Sequence, residues 1–372
     1  MATLKEQLLD KIARKEMRVG VVGLGYVGLP LAVEKAKAGF HTIGFDVNSE
    51  KVRLVNEGHN YIGDVVDSDL KQIVESGMLS ATTDFEKIAS ADFVAICVPT
   101  PLDVHQEPDI SYVESSTRAV APHIHRGSVI VLESTTYPGT TEELLKPILE
   151  EASGLKCGED FYLGFSPERV DPGNLIYKTP KVVGAIGKDA TEVIAAMYRA
   201  VLDSDVFEAS SPAIAEMEKI LENTYRNINI GLVNELAQLC DRMGIDVWEV
   251  IAAASTKPYG FQPFYPGPGL GGHCIPLDPY YLTWKAREYG YQHDRKQHDH
   301  QRQYAPLLRG ACHAATEPEA SESPVRRKGA GAGRGLQKRH RRLPGKSRHP
   351  RAEAAAGRRR GSDLLRPVGR PV

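Results

Sequence analysis

Six residues near the N-terminus, Gly23-Leu24-Gly25-Tyr26-Val27-Gly28, constrain this chain more than any others. They follow directly on Met17-Arg18-Val19-Gly20-Val21-Val22, which reads as a short buried parallel strand. They precede Leu29 to Lys37, a run rich in helix formers. Strand, glycine turn and helix in that order are the setting in which GxGxxG has a physical meaning. The glycines permit a tight turn and a close approach of pyrophosphate to a helix N-terminus, where unpaired N–H groups and the dipole favour anions. His41-Thr42-Ile43-Gly44-Phe45-Asp46 then reads as a second strand ending in an acid, 18 positions after Gly28. A carboxylate there accepts from a ribose 2′-hydroxyl and repels a 2′-phosphate, which predicts NAD rather than NADP. Gly23, Gly25, Tyr26, Val27, Gly28 and Asp46 are the expected cofactor-binding residues.

Between residue 17 and about residue 200, β-rich runs alternate with helical ones. Asp92 to Val98, Ser128 to Leu132, Phe161 to Phe165 and Lys181 to Gly184 read as strands. Thr140 to Ala152 and Ala190 to Leu202 read as helices. Such alternation predicts an α/β fold of Rossmann type, a doubly wound parallel sheet, with ligands at the C-terminal strand ends. Val98 to Pro101 and Glu133 to Gly139 follow strands in that way, so Thr100 and Thr135 are expected to face the cofactor. Residues 212–243 contain no Gly or Pro except Pro212 and Gly231. Pro212 suits a helix start and Gly244 a helix stop. A helix of this length, roughly 45 Å, exceeds what one small domain buries, so it is expected to link domains and to form a homodimer surface. Three regions follow: a cofactor domain over 1–203, a helical central domain with one long helix over 204–292, and a basic tail over 293–372.

A second stretch carries chemistry: Pro266-Gly267-Pro268-Gly269-Leu270-Gly271-Gly272-His273-Cys274-Ile275-Pro276-Leu277-Asp278. A lone cysteine beside a turn is most often structural. Here the glycines leave room for a reacting carbon, and a thiolate can attack a carbonyl and carry a covalent intermediate. Lys219, Asn223 and Asn227 recur at four-residue steps and share one helix face. Such a face is usually solvated; this one is expected to look into the cleft of Cys274. None of the 5 cysteines has CxxC spacing, so neither a zinc site nor a disulfide framework is suggested. No apolar run reaches the roughly 18 residues of a membrane span, and Met1 to Glu16 reads as an amphipathic helix rather than a secretory signal. These features predict a cytoplasmic protein.

The motifs together resemble the nucleotide-sugar 6-dehydrogenases, the UDP-glucose and UDP-N-acetylhexosamine dehydrogenases. The resemblance runs from about Arg18 to about Tyr291. It rests on the glycine turn with Leu29-Pro30, on Glu133-Ser134-Thr135, on Phe165-Ser166-Pro167-Glu168-Arg169, on the Lys219/Asn223 pair and on the cysteine loop. Leu277 stands where the UDP-glucose enzymes usually carry a lysine, so the wording is similar to the N-acetylhexosamine enzymes, with UDP-N-acetylglucosamine favoured over UDP-N-acetylmannosamine. The resemblance implies oxidation of the sugar C6 alcohol to a carboxylate with two NAD. Cys274 would form a thiohemiacetal and then a thioester. Lys219 and Asn223 would stabilise the developing alkoxide. Asp278 and Thr135 would position or activate water, and Glu168 would act as general base in thioester hydrolysis. An ion pair with Arg169 or a nearby lysine is the plainer reading of Glu168. Phe264 and Tyr265 would wall the sugar, with Arg169, Gly271 and Gly272 at the substrate, and His273 would pack the loop.

The chain departs from the family after about Gln292. Residues 294–372 hold 16 Arg and 4 Lys against 7 acidic residues, with no Ile, Met, Phe, Trp or Asn. A segment so poor in large apolar groups cannot offset its ordering entropy by burial and is expected to be disordered. A reading-frame shift near Gln292 to Asp294 accounts for it. Read one base later, codons permitted for Gly329 to Ser347 spell the opening strand and loop of the uridine-binding domain that the family carries here. On that reading His298-Asp299-His300 is no metal site, and the chain could be inactive as written. Two other readings compete: a dehydrogenase of the 6-phosphogluconate or 3-hydroxyacid kind, which needs no Cys274, and a nucleic-acid-binding protein driven by the basic tail, whose binding would fall steeply with salt.

Overall fold

The computed structural model describes residues 2–169, 178–272 and 274–291. The elements are α1 (Leu4–Ala13), β1 (Val19–Val22), α2 (Gly28–Lys37), β2 (Thr42–Phe45), α3 (Ser49–Asn56), α4 (Asp67–Glu75), β3 (Leu79–Thr82), β4 (Phe93–Ile96), α5 (Ser111–Val120), β5 (Val129–Leu132), α6 (Lys146–Ser153), β6 (Tyr162–Phe165), β7 (Lys181–Ala185), α7 (Lys188–Arg199), β8 (Val206–Ala209), α8 (Pro212–Met243), α9 (Val247–Ala254) and α10 (Asp278–Glu288). The strands form one 8-stranded sheet in the order β3-β2-β1-β4-β5-β6-β7-β8. The order reverses between β1 and β4, the switch point at which doubly wound sheets bind ligands.

Every neighbouring pair is parallel except β6 and β7, which pair antiparallel through Gly164–Ala185 and Phe165–Gly184. The Rossmann-type sheet expected from the sequence is present, with this one reversal.

Why these residues form this sheet is visible in their burial. The runs of β4 and β5 are apolar at every position, as strands covered on both faces must be. Alternate residues go to opposite sides: Phe93, Ala95, Val129 and Val131 join one core, Val94, Ile96, Ile130 and Leu132 the other. Both layers of helices therefore rest on side chains from the same strands. The N-terminal amphipathic segment forms α1, closed by a reciprocal cap between Thr3 and Glu6. The segment expected to be helical from Thr140 opens as a π turn over Thr141–Leu145 before α6 begins.

The long helix runs from Pro212 to Met243, 32 residues, and ends where Gly244 adopts φ 69°. A left-handed residue at that place closes the last turn, and glycine adopts it without a Cβ clash. A third, smaller cluster of Tyr137, Ile220 and Tyr281, with Leu102, Ile110, Leu277, Leu282 and Trp284 against it, packs α8 and α10 onto the loops that leave β4 and β5. Residues from 292 onward, with the frame reading and the expected disorder of the tail, lie outside the described residues, as does His273.

Candidate active site

The glycine turn has the geometry that its sequence demands. Gly23 has φ +91°, and a Cβ on it would stand 2.5 Å from the Cys97 carbonyl oxygen. A Cβ on Gly28 would stand 1.8 Å from the Gly23 oxygen, so the first turn of α2 is pressed against the loop. Gly25 differs: a Cβ there would meet nothing within 4 Å. The protein itself does not require Gly25, and the open space beside it is where a ligand backbone can approach. The α2 N-terminus has no side-chain cap, which leaves its amide N–H groups for an anion. Asp46 is buried at the end of β2, and its carboxylate accepts from Leu24 N and Asn48 N, each at 2.9 Å. These features fit NAD. Tyr26 lies exposed on the turn, and Val27 packs partly against the core.

The loops after β4 and β5 are tied together by Val98 N donating to Ser134 Oγ at 2.9 Å. Thr100 lends its carbonyl to the Tyr281 hydroxyl at 2.8 Å, and Thr135 is half-buried on the neighbouring loop. Glu216 of α8 fastens that loop from below. Its carboxylate accepts from Gly139 N at 2.6 Å, Thr141 N at 2.9 Å and Thr141 Oγ1 at 2.7 Å. Burial raises the Glu216 carboxyl pKa, while these three donors oppose the shift.

Cys274 is exposed at the entry to α10, its carbonyl accepting from Leu277 N and Asp278 N at 2.9 Å. The helix face predicted from residues 219, 223 and 227 is buried, with exposures of 8%, 3% and 1%. It holds the thiol segment by hydrogen bonds. Asn223 Nδ2 donates to Asp278 Oδ2, and Asn227 Nδ2 to the Ile275 carbonyl at 2.8 Å. Asn234, further along the same face, accepts from Gly267 N at 2.9 Å. Lys219 Nζ donates to the Glu168 carbonyl at 2.5 Å. Burial lifts the Asp278 carboxyl to about 6, with Lys219 and Asn223 acting against it. Asp278 Oδ1 is buried and has no hydrogen-bond partner among the described residues.

Glu168 does pair with a lysine: Lys181 Nζ stands 3.2 Å from its Oε2. Arg169 instead spans Glu218 at 3.2 Å, Glu222, and the Pro180 carbonyl at 3.1 Å. Phe264 meets Tyr225 edge-on at 5.8 Å, and Tyr265 stacks on Trp248 at 6.0 Å. Gly271 and Gly272 are exposed and both have φ +70°, a conformation that keeps side chains off the loop beside Cys274. Sequence reasoning gave no site role to Glu133, Lys181 or Glu216. A carboxylate directly after the apolar run of β5 was the available sign for Glu133; Glu216 has no local signal, because its partners lie 75 and 77 positions away, and Lys181 joins Glu168 and Glu133, 13 and 48 positions back, through no helical or strand repeat.

A dinucleotide turn on a doubly wound sheet, followed by a long helix that presents a glycine-bounded cysteine and a buried aspartate, defines a dinucleotide-binding α/β fold with a thiol-bearing helical segment appended. Residues 17–202 match the NAD-binding domain of the UDP-glucose/GDP-mannose dehydrogenase family, and residues 213–298 match its central domain. The chain belongs to that family. It is 41% identical over 280 residues to UDP-N-acetyl-D-glucosamine 6-dehydrogenase of Pseudomonas aeruginosa, covering 74% of this chain and 65% of that protein. It is 39% identical over 277 residues to UDP-N-acetyl-D-mannosamine dehydrogenase of Pyrococcus horikoshii, covering 73% and 65%. The solved structure of the UDP-D-ManNAc dehydrogenase of Pyrococcus horikoshii superposes with a TM-score of 0.72 at 35% identity, over 80% of this chain and 72% of that one. The chain thus spans just under two thirds of the length of the curated relatives it matches.

Proposed function

We propose that this chain carries the catalytic groups of an NAD-dependent UDP-sugar 6-dehydrogenase, with UDP-N-acetylglucosamine as the substrate favoured by its loop. The observation that carries this reading is the joining of Cys274, Asp278 and Asn223 by hydrogen bonds at the start of α10, with the charge of Lys219 acting on Asp278 and its ammonium bonded to the Glu168 carbonyl. When bound, NAD accepts hydride from the sugar C6. Cys274 Sγ would add to the resulting aldehyde to give a thiohemiacetal, and transfer of its hydride to a second NAD, with loss of the hydroxyl proton, would leave a thioester on Cys274. Lys219 and Asn223 supply donors to the oxyanion. Asp278, with its carboxyl near 6, exchanges a proton with it around neutral pH. Glu168 draws a proton from the water that releases the uronic acid, with Thr135 ordering that water. Arg169, Phe264, Tyr265, Gly271 and Gly272 bound the sugar.

Residues 1–203 act as the cofactor domain and 204–292 as the central domain. The second surface of α8 supports a homodimer: Ile214, Met217, Leu221, Tyr225, Ile228, Leu232, Leu236, Leu239 and Met243 are all exposed and recur in steps of three, four and four. Apolar rows of this extent are what protein partners cover. Among the described residues no helix is long and apolar enough to cross a membrane; a cytoplasmic place fits the exposed thiol at Cys274. Nucleic acid has no part in this reading.

The test is stoichiometry. With NAD and UDP-N-acetylglucosamine, two NAD should be reduced per uronic acid formed, and Cys274→Ser should block the second reduction. Full two-NAD turnover by Cys274→Ala would sink the covalent route, and turnover only on UDP-glucose would correct the substrate.

A further inference from the structure

Beneath Glu168 lies a cluster of ionisable side chains that the chemistry above does not use. Lys35 of α2, Cys97 after β4, Glu133 after β5, Lys181 of β7 and Tyr198 of α7 meet there, none more than 6% exposed. Lys181 Nζ stands 2.7 Å from Glu133 Oε2 and 3.2 Å from Glu168 Oε2. The Tyr198 hydroxyl donates to the other Glu133 oxygen. Lys35 Nζ has no hydrogen-bond partner among the described residues and lies 4.4 Å from the Phe93 ring centre and 4.5 Å from that of Tyr198. Across the rim, Lys219 of α8 holds the Glu168 carbonyl, and Arg169 N donates to Glu168 Oε1 at 2.8 Å.

An interior ion pair is roughly break-even against well-packed apolar side chains, so stability alone does not account for this one. Its arrangement is asymmetric. Glu133 is wholly buried and satisfied at both oxygens, so it and Tyr198 fix where the Lys181 ammonium sits. The same ammonium reaches one carboxylate nearer the surface, Glu168, whose side chain is 14% exposed. Rigidity passes from the core outward along one chain of contacts, Tyr198 to Glu133 to Lys181 to Glu168.

We propose that Lys181, clamped by Glu133 and Tyr198, is a positioning residue for Glu168 and sets the rate at which the thioester on Cys274 is hydrolysed. The proposal rests on the reading of Glu168 as the base of that step. It can be tested on the chain as it stands, without sugar or nicotinamide. p-Nitrophenyl acetate acetylates accessible thiols, and mass spectrometry of the Cys274 peptide follows the loss of the acetyl group against pH. Glu168→Gln should slow this loss by about a hundredfold, the lower range of general-base contributions. Lys181→Met should slow it comparably and flatten its pH dependence, Lys181→Arg should recover most of the rate, and Tyr198→Phe should cost about threefold. In the Glu168→Gln background, Lys181→Met should add nothing, because one route is already lost. Should Lys181→Met not fold, the charge-neutral Lys181→Met/Glu133→Gln pair must show the same slowing. Wild-type deacetylation by the Lys181 variants beside a slow Glu168→Gln, or effects that multiply, would overturn the proposal while leaving Glu168 as the base. An unchanged rate in Glu168→Gln would remove the base, and the proposal with it.

Discussion

The cofactor turn and the thiol loop are both glycine-rich, yet they are held by opposite means. In the turn, Gly23 and Gly28 are fixed by backbone contact: a Cβ at either would sit within 2.5 Å of a carbonyl oxygen. In the thiol loop, a Cβ on Gly269, Gly271 or Gly272 would meet nothing within 4 Å, and the positive φ values of 150°, 70° and 70° are what call for glycine. That loop is placed by side chains of α8, Asn223, Asn227 and Asn234, each bonded to one point on the segment. Steric fit tolerates almost no variation; hydrogen bonds tolerate a graded loss. The half of the molecule that carries the dinucleotide turn uses the first device, and the half that carries the thiol uses the second.

The sharpest way to break this comparison is inside the turn. Gly28→Ala drives a methyl into the Gly23 oxygen at 1.8 Å and should cost about 3 kcal/mol or more, seen as a large loss in urea unfolding. Gly25→Ala should leave stability within about 0.5 kcal/mol while NAD affinity falls about tenfold or more, read by calorimetry. Equal damage from both would mean that packing, rather than ligand space, sets both glycines.

The next effect belongs to Asp278. Its folded carboxyl titrates near 6, above its ordinary 3.8, so the folded state binds the extra proton between these values. Stability at this site is therefore highest below about pH 4 and falls as pH rises towards 6. Asp278→Asn should remove that fall, raising stability above pH 6 by about 2 kcal/mol and changing little at pH 4. Thermal unfolding at the two pH values decides it, and no difference between them would show that Lys219 and Asn223 fully compensate the buried charge.

A smaller effect is expected at Asp46. Asp46→Asn keeps an acceptor for Leu24 N yet removes the charge, so the preference for NAD over NADP should narrow about tenfold. An unchanged ratio in competition titrations would place the ribose elsewhere. The smallest effect is Asn234→Ala, which frees Gly267 N and should cost about 1 kcal/mol. Its mark should be faster proteolysis within 261–272 and faster alkylation of Cys274, with NAD affinity unmoved.

Much of this architecture was legible in the sequence because it is periodic or local. The glycine turn, the alternating buried strands and the stop at Gly244 each depend on residues a few positions apart. The face of Lys219, Asn223 and Asn227 was legible as a face, but its partners were not. Its bonds to Glu168, Asp278 and Ile275 span 48 to 55 positions, and no helical repeat encodes them. Short strands such as β3 and β8 escaped because Ser80, Thr82 and Glu208 interrupt their apolar character, and the pairing with neighbours, not propensity, makes them strands. The reversal at β6 and β7 is topological and has no sequence mark of its own. Lys181 was read only as the start of a strand, although its ammonium joins two carboxylates.

The exposed row on α8 repeats in steps of three, four and four, an eleven-residue period. Eleven residues in three turns is about 3.67 per turn, slightly more than the helix itself, so the row drifts round α8 opposite to a heptad seam. Two copies meeting along it would wind about each other with a gentle right-handed twist. Contact would then continue for the whole helix, about 48 Å, instead of fading on either side of a single crossing. A subunit joined in that way is keyed by the length of its helix: removing two residues, about half a turn, from the middle of α8 would rotate Leu232 to Met243 by about 200° relative to Ile214 to Ile228, and the two halves of the row would no longer face one partner.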